Sequence, residues 1–258
     1  MQDLKIALLQ TDQKWEDKLA NLRHFEEQIS LISEPVDIIL LPEMFHTSFS
    51  MNAESLAETM ENSMGLDFLR RNASEKNCAI YTSLIIKEGK YYRNRGVFVE
   101  PDGKVHSYDK RKSFGLAGED TVFTNGTKET IVSFRGWNIQ LQICYDLRFP
   151  EIIRNSINEA GDVAYDLVLY VANWPEKRAV HWTTLLKARA IENQSYVAGV
   201  NRIGTDGKGL EYSGDSIVSD PLGITISAVT GEEDCLITTL SIEILHETRK
   251  SLPFLKDR

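Results

Sequence analysis

Cys144 is the residue of this sequence that is best placed to act as a nucleophile. It follows Ile139, Leu141 and Ile143, whose alternation with polar residues predicts a strand. A helix is predicted to begin at Pro150, because the missing N–H of proline would have no partner in a first helical turn. A thiol at such a corner is exposed at a sheet edge, and neighbouring backbone N–H groups can point at the group that it attacks. The alternative is a structural cysteine, since free cysteine is among the most often buried residue types.

Three other predicted strands also run into polar residues. Glu43, Lys110 and Asn173 each lie within two residues of the end of such a strand. Ligands of open α/β sheets bind outside the carboxyl ends of the strands. If the strands lie side by side and point the same way, these three residues and Cys144 converge on one pocket.

Glu43 and Lys110 have the chemistry that a thiol nucleophile requires. Burial behind four aliphatic residues would raise the pKa of Glu43 toward neutrality, which suits a general base. The alternative for Glu43 is a structural pair with an arginine. An ammonium at Lys110 would stabilise a thiolate on Cys144 and the oxyanion that forms when a carbonyl is attacked. Its neighbours Arg111 and Lys112 are interpreted as part of a solvated charged face.

Other constellations are less specific. The pattern alone does not assign a role to Glu119, and His46 or His181 could instead form a Cys–His pair with Cys144. Cys78 and Cys235 have apolar or strand neighbours and are interpreted as packing residues. No residues have the spacing of metal ligands, and no Gly-rich phosphate loop is present, so the sequence predicts neither a metal nor a cofactor.

Alternating strands and helices, interrupted by hairpins, must position these residues. Twelve strands for four helices is too strand-rich for a plain doubly wound fold, so we expect two sheets packed face to face with helices outside. No linker or repeat divides the chain, and one domain over residues 1–258 is predicted. The predicted strands are 5–10, 38–41, 79–86, 91–100, 104–108, 131–134, 137–144, 166–172, 196–201, 215–220, 223–228 and 235–242; the predicted helices are 18–33, 66–77, 150–160 and 180–194, and the tail from 245 onward is expected to be polar.

The composition restricts partners and location. The chain of 258 residues has a net charge of −9 and an isoelectric point near 5.2, so it should repel nucleic acid. Three widely spaced cysteines argue against a disulfide framework. The sequence has neither the pattern of a signal peptide nor an apolar run of roughly 18 residues that could span a membrane. We therefore expect a cytoplasmic protein. The net charge does not exclude an anionic small-molecule substrate, because a local arginine or lysine can reverse the sign inside a pocket.

Three stretches together resemble the motifs of the nitrilase (carbon–nitrogen hydrolase) superfamily, in the order expected for that family. Segments after the cysteine, and a late hairpin, agree with it, so that the similarity extends from about residue 6 to residue 242. Within the superfamily the chain resembles bacterial omega-amidases, which hydrolyse amides of the 2-oxoglutaramate type. The stretches are Leu41-Pro42-Glu43, Tyr108-Asp109-Lys110-Arg111 followed by Phe114, Ile143 to Glu151, Val171 to Gln194, and Gly214 to Gly223.

The resemblance implies a role for each matching residue. Cys144 would be the nucleophile, Glu43 the general base, and Lys110 the acid and oxyanion stabiliser, with Glu119 as a second, supporting glutamate. It also implies a four-layer α-β-β-α sandwich with two mixed sheets, which forms a homodimer. The chain departs from the family at Lys112-Ser113-Phe114, where relatives usually have His-Leu-Phe, and this affects the expected pocket wall.

Three further residues are candidates for substrate binding. The backbone N–H of Tyr145, together with Lys110, would hold the oxyanion. Arg148 would bind a distal carboxylate through two hydrogen bonds, or else cap its turn or pair with Glu151. Trp174 would line the pocket, or belong to the core. The competing functions are another amidase, a nitrilase or an N-carbamoyl amidase of the same superfamily, a metal-dependent phosphodiesterase, and a binding protein without activity.

Overall fold

Two six-stranded sheets form the centre of the fold, which the computed structural model describes over residues 2–258. A separate two-stranded hairpin accompanies them. In chain order the strands are β1 (Leu4–Gln10), β2 (Ile38–Leu40), β3 (Ala79–Glu88), β4 (Tyr91–Val99), β5 (Val105–Asp109), β6 (Ile131–Phe134), β7 (Trp137–Ile143), β8 (Leu167–Ala172), β9 (Tyr196–Asn201), β10 (Ile203–Thr205), β11 (Glu211–Ser213), β12 (Ser216–Ser219), β13 (Thr225–Val229) and β14 (Asp234–Leu240).

The helices are few, and two of them have only four residues. They are α1 (Lys18–Ser30), α2 (Ala53–Leu56), α3 (Met64–Lys76), α4 (Glu119–Val122), α5 (Ala179–Asn193) and α6 (Ile242–Ser251). Short 3-10 turns occupy Gly115–Ala117, Cys144–Arg148, Pro150–Ile152, Glu176–Arg178 and Phe254–Asp257.

Strand direction determines which ends of the sheets meet. The first sheet has the order β14-β1-β2-β3-β4-β5, in which β1, β2 and β3 are parallel, β4 is antiparallel to both its neighbours, and β5 therefore runs in the direction of β2. The second sheet has the order β13-β12-β9-β8-β7-β6, with β7, β8 and β9 parallel. Both sheets are therefore mixed, as predicted.

Apolar faces hold four layers together. Side chains of the two sheets, such as Ile38 and Leu141, meet in one buried cluster. A second buried cluster joins the opposite face of the first sheet to α1 and α3, for example through Phe25 and Leu69. On the outer face of the second sheet, α5 packs so closely that a Cβ at Gly199 would lie 2.6 Å from a methyl group of Leu186. The expected α-β-β-α sandwich is confirmed.

Side chains at the helix ends explain where the helices begin and end. Asp17, Ser63 and Ser241 each accept a hydrogen bond from a backbone N–H of the first turn, which satisfies a donor that has no partner within the helix. Asn77 and Gln194 end α3 and α5 in the left-handed conformation.

Two sequence predictions of secondary structure were wrong. The expected helix over 150–160 is only the 3-10 turn Pro150–Ile152, because the Asn155 side chain donates to the backbone oxygens of Tyr165 and Asn193 and competes with helical bonding. The tail from residue 245 was expected to be only polar, but it contains most of α6, which buries Leu245. The hairpin β10–β11 was also not predicted. No helix within residues 2–258 is both long and apolar enough to cross a bilayer.

Candidate active site

Four polar residues from four strand ends meet at one end of the sandwich. Glu43 follows β2 and Lys110 follows β5 in the first sheet, whereas Cys144 follows β7 and Asn173 follows β8 in the second. The predicted convergence is therefore present, although the four strands belong to two facing sheets and do not lie side by side in one.

A buried ion cluster forms the base of the site. The Lys110 Nζ lies 2.8 Å from Glu43 Oε1 and 2.9 Å from each carboxylate oxygen of Glu119. Asn94 Nδ2 donates to the same two carboxylates, at 2.7 Å and 3.1 Å. Burial lowers the pKa of Lys110, but the Glu119 and Glu43 carboxylates outweigh it, so the net shift is upward and the ammonium is retained. The alternative of a Glu43–arginine pair is wrong.

Cys144 lies at the floor of a pocket with a strained backbone. Its φ is +44°, a conformation that residues with a Cβ rarely adopt, and its side chain is 8 % exposed. The sulfur lies 3.9 Å from the carbonyl oxygen of Asn173. Burial, followed by the Glu43 carboxylate, raises the pKa of the thiol, and Lys110 opposes this without reversing it. Burial therefore keeps the resting thiol neutral, while Lys110 favours the thiolate, in the direction expected from the sequence.

Asn173 holds the Glu43 carboxylate and backbone in place. Glu43 Oε2 accepts a hydrogen bond from the backbone N–H of Asn173 at 3.0 Å, and its carbonyl oxygen accepts one from Asn173 Nδ2 at 2.6 Å. Gln13 Nε2 donates to the same carbonyl oxygen at 3.1 Å. The carboxylate is fully buried and has a donor on each oxygen. These hydrogen bonds therefore fix the position of the carboxylate.

Glu119 reaches the cluster from the short helix α4. Gly118 precedes it in the left-handed conformation, at φ +77°, which turns the chain inward. The fully buried carboxylate also accepts a hydrogen bond of 2.6 Å from the N–H of Phe114. Glu119 therefore lies beside Lys110, where the family resemblance places it, and the loop geometry that brings it there has no periodicity that the sequence could reveal.

Asp146 links the turn of the nucleophile to the segment that carries the lysine. Its carboxylate accepts hydrogen bonds from Tyr108 Oη at 2.9 Å, from the N–H of Ile143 at 3.1 Å and from the N–H of Lys112 at 2.9 Å. Burial raises the pKa of Asp146 to about 7, against the opposing effects of the lysine and the donors. Sequence reasoning did not identify this residue.

The departure from the family motif leaves the pocket wall intact. Lys112 directs its Nζ away, 3.6 Å from Glu151 and 4.6 Å from the centre of the Phe149 ring. Neither Lys112 nor Ser113 lines the pocket, whereas Phe114, which matches the motif, does.

The pocket above the thiol is lined by aromatic side chains and by charged groups. Its floor is formed by Lys110, Cys144 and Asn173. Among residues 2–258, Asp206 is the only carboxylate in the wall, and it accepts hydrogen bonds from the Tyr212 hydroxyl and from two backbone N–H groups. The other lining residues are Phe49, Phe114, Ala117, Tyr145, Arg148, Trp174, Pro175, Arg178, Lys208, Leu210 and Tyr212.

Arg148 presents an unpaired guanidinium in this wall. It lies 4.6 Å from the centre of the Trp174 ring and 3.1 Å from His181 Nδ1, while Glu151 is paired with a lysine instead. Within residues 2–258, no acidic side chain forms an ion pair with Arg148, and the same is true of Arg178. Burial lowers the pKa of Arg148, and the nearby Arg178 cation lowers it further. Two cations without a counter-charge favour an anionic group between them.

Trp174 lines the pocket, as predicted, and so does the side chain of Tyr145, for which only the backbone N–H was expected to have a role. The Tyr145 ring packs 5.0 Å from Phe114 and 5.3 Å from Phe149, measured between ring centroids. Trp174 is almost fully buried, and its indole N–H donates a hydrogen bond to the backbone carbonyl oxygen of Arg178 at 2.8 Å. The first N–H groups of the turn that begins at the thiol, including that of Tyr145, have no partner within the turn.

The other candidates lie elsewhere. His46 is fully buried 3.3 Å from Glu58, and His181 contacts a guanidinium, so neither forms a hydrogen bond with the thiol. Cys78 is buried in the cluster under α1 and α3, and Cys235 packs against the same cluster. Residues 2–258 contain no group of three or more His, Cys, Asp or Glu side chains arranged to hold a metal ion.

Some site residues had only weak signals in the sequence. Asn94 lies between Arg93 and Arg95 inside β4, and its only distinguishing sign is that asparagine is depleted in strands. Arg178 ends a short 3-10 turn and Lys208 lies in a loop, and nothing in their local sequence pattern distinguishes them from solvated surface residues.

Comparison with known proteins agrees with this geometry. The sequence profile of the carbon–nitrogen hydrolase family matches residues 5–250. The chain is 44 % identical over 258 residues to the omega-amidase YafV of Yersinia enterocolitica, covering all of this chain and 97 % of that protein. It is 33 % identical to the 2-oxoglutaramate amidase of Paenarthrobacter nicotinovorans, over 90 % of this chain and 84 % of that protein. The crystal structure of XC1258 from Xanthomonas campestris, a CN-hydrolase superfamily protein with an arsenic adduct in its active site, superimposes with a TM-score of 0.97 at 38 % identity and covers 100 % and 98 % of the two chains.

Proposed function

The chain belongs to the carbon–nitrogen hydrolase family and is an amidase, and we propose that it hydrolyses the ω-amides of 2-oxo diacids to the acid and ammonia through a cysteine thioester. One observation carries this proposal. The Cys144 thiol lies within the electrostatic influence of the buried Glu43–Lys110 pair and shares the pocket floor with Lys110, and no acidic side chain within residues 2–258 pairs with the arginines of the pocket wall.

In the acylation step, Glu43 takes the proton of the thiol as Cys144 Sγ attacks the amide carbon. Because burial raises the pKa of the thiol, we expect this transfer to accompany the attack. The carbonyl oxygen becomes an oxyanion, which Lys110 Nζ and the N–H of Tyr145 stabilise. When the C–N bond breaks, the protonated Glu43 gives its proton to the nitrogen, and ammonia leaves.

In the deacylation step, the same carboxylate acts in the opposite sense. Glu43 takes a proton from a water molecule, whose oxygen attacks the thioester carbon. The C–S bond then breaks, and the sulfur recovers the proton from Glu43. Glu119 and Asn94 keep Lys110 and Glu43 in position throughout, because they hold the pair through direct hydrogen bonds.

The substrate class follows from the wall of the pocket. Arg148 and Arg178 provide two guanidinium groups beside the aromatic side chains that line the pocket. A guanidinium binds a carboxylate through two parallel hydrogen bonds. A short diacid monoamide places one carboxylate at a fixed distance from its amide. The names of the relatives, an omega-amidase and a 2-oxoglutaramate amidase, support this choice.

A panel of amides tests the proposal directly. Ammonia release is measured with 2-oxoglutaramate, with the neutral amide pentanamide, with a nitrile and with an N-carbamoyl amino acid, before and after thiol alkylation. We expect 2-oxoglutaramate to have the highest kcat/KM and alkylation to abolish its hydrolysis. Preference for the nitrile or the carbamoyl compound, or activity that survives alkylation but not EDTA, would contradict the proposal.

Two further expectations stay predictions. The family resemblance implies a homodimer, which light scattering of the purified protein checks. A cytoplasmic location is expected from the sequence, and fractionation of cells that produce the protein checks it.

A further inference from the structure

Asn173 has one polar atom that the mechanism above does not use. Its backbone N–H donates to the Glu43 carboxylate, its Nδ2 donates to the Glu43 carbonyl oxygen, and its own carbonyl oxygen lies against the sulfur of Cys144. The remaining atom, Oδ1, is buried and has no hydrogen-bond partner among residues 2–258. The residue is 4 % exposed and lines the floor of the pocket.

The orientation of this amide is fixed by its partner. A carbonyl oxygen only accepts hydrogen bonds, so the atom 2.6 Å from the Glu43 oxygen must be the nitrogen. Oδ1 is therefore an acceptor without a partner, on a residue whose backbone carbonyl oxygen lies 3.9 Å from the Cys144 sulfur. A buried acceptor without a partner is costly and rare in native proteins, and one at a binding site indicates a ligand that supplies the donor.

We propose that Asn173 Oδ1 accepts a hydrogen bond from the nitrogen of the scissile amide, and that it selects amides over substrates that lack an N–H at this position. The inference rests on the proposed function and adds to it the recognition of the leaving group. When the carbonyl oxygen of a primary amide points at Lys110, its NH₂ group points elsewhere and requires an acceptor. The Glu43 oxygens already accept hydrogen bonds from Asn173, Lys110 and Asn94, whereas Oδ1 accepts none.

The contact becomes stronger during the reaction. The nitrogen gains a proton and positive charge as the C–N bond breaks, and a hydrogen bond from a charged donor is about twice as strong as one from a neutral donor. Oδ1 therefore stabilises the state in which ammonia departs more than it stabilises the bound amide. An ester or a nitrile offers no N–H and leaves the acceptor unpaired.

The test compares an amide with the methyl ester of the same acid. Both substrates form the same thioester, so the ratio of their kcat/KM values reports only the acylation step. In Asn173→Ala we expect this amide-to-ester ratio to fall about 10-fold or more, because only the amide loses a hydrogen bond to Oδ1. Asn173→Ser is measured in parallel, in case the alanine variant does not fold, and circular dichroism verifies both.

A matched control separates recognition from positioning. Asn201 holds the same segment at Trp174. Its Oδ1 accepts a hydrogen bond from the Trp174 N–H at 2.7 Å, and its Nδ2 donates one to the Trp174 carbonyl oxygen at 2.9 Å. Within residues 2–258 it forms no hydrogen bond with the thiol or with Glu43. Asn201→Ala should lower amide and ester hydrolysis alike and leave their ratio unchanged.

The outcomes are distinguishable. If both substrates lose activity by the same factor in Asn173→Ala, the residue only orients Glu43, and the inference is overturned while the proposed function stands. If the wild type releases ammonia from amides other than ω-amides, the proposed substrate fails, and the ratio measured on the accepted amide still decides the role of Oδ1. A wild type that hydrolyses esters but no amide overturns both.

Discussion

The floor and the wall of the pocket differ in whether their charged groups have partners of opposite charge. At the floor, Lys110 and its two partners Glu43 and Glu119 are fully or almost fully buried, and each charged group contacts an opposite charge. In the wall, Arg148 and Arg178 have no acidic partner within residues 2–258, and they rest on aromatic rings instead. The charges at the floor are compensated without a ligand, and those of the wall are not. We infer that the floor determines the reaction and the wall determines the substrate.

The largest expected effect is at the nucleophile. Cys144→Ala should reduce ammonia release by at least about 10⁴-fold, since loss of a catalytic nucleophile has effects of that order or more. Alanine accepts the positive φ no worse than cysteine does, because both have a Cβ. Ammonia release and circular dichroism are measured together. A folded variant that retains activity would show that the floor of the pocket does not carry out the reaction.

Next in size is the removal of the buried ammonium. Lys110→Met leaves two carboxylates facing each other without a cation, and we expect a loss of about 3–5 kcal/mol in the free energy of unfolding, together with loss of activity. The matched wall variant is Arg178→Met, whose effect on stability should stay within about 0.5 kcal/mol. Urea unfolding of the two variants checks the contrast. Equal losses of stability would contradict the distinction between floor and wall.

The third effect separates binding from chemistry in the wall. Arg148→Met should raise KM for 2-oxoglutaramate about 10-fold or more with little change in kcat, because a charge-assisted hydrogen bond to a distal carboxylate is lost in the ground state and in the transition state alike. A neutral amide of the same length serves as the control and should show little change. A fall in kcat for both substrates would assign Arg148 to the floor.

The last expected effect depends on pH and concerns Asp146, which lies between the two regions. Its folded pKa of about 7 exceeds the ordinary value of 3.8, so the folded state binds the proton more tightly than the unfolded chain does. Its stabilising contribution is thus present in full below about pH 4 and is lost as the pH rises to about 7. Urea unfolding of wild type and Asp146→Asn across this range should show the stability of the wild type, relative to the variant, falling and then levelling off above pH 7. A difference that stays constant with pH would show that Asp146 does not titrate there.

Sequence reasoning located the residues whose position depends on strand ends. Glu43, Lys110, Cys144 and Asn173 each follow a strand, and the period of the strand marks where it stops. Asn94 and Asp146 were missed because their partners are distant along the chain: Asp146 bonds Tyr108, 38 residues away, and no local pattern encodes that contact.

The fold shows the same division. Long periodic elements such as α5 and β7 were predicted to within one or two residues, because burial of one face imposes the period. The segment after Pro150 was predicted wrongly, because a single asparagine side chain bonded to two distant carbonyls outweighs a weak helical pattern. Helix α6 was missed because few of its side chains are buried, so its apolar period is faint.

The division of the site between two facing sheets has a mechanical consequence. Glu43 and Lys110 move with one sheet, and Cys144 and Asn173 move with the other, so the catalytic distances measure how the two halves are stacked. A slip of one sheet over its partner by a single ångström would break the hydrogen bond between Asn173 and Glu43 while leaving every strand intact. Damage to the apolar layer between the sheets should therefore lower the turnover rate before any spectroscopic sign of unfolding is seen.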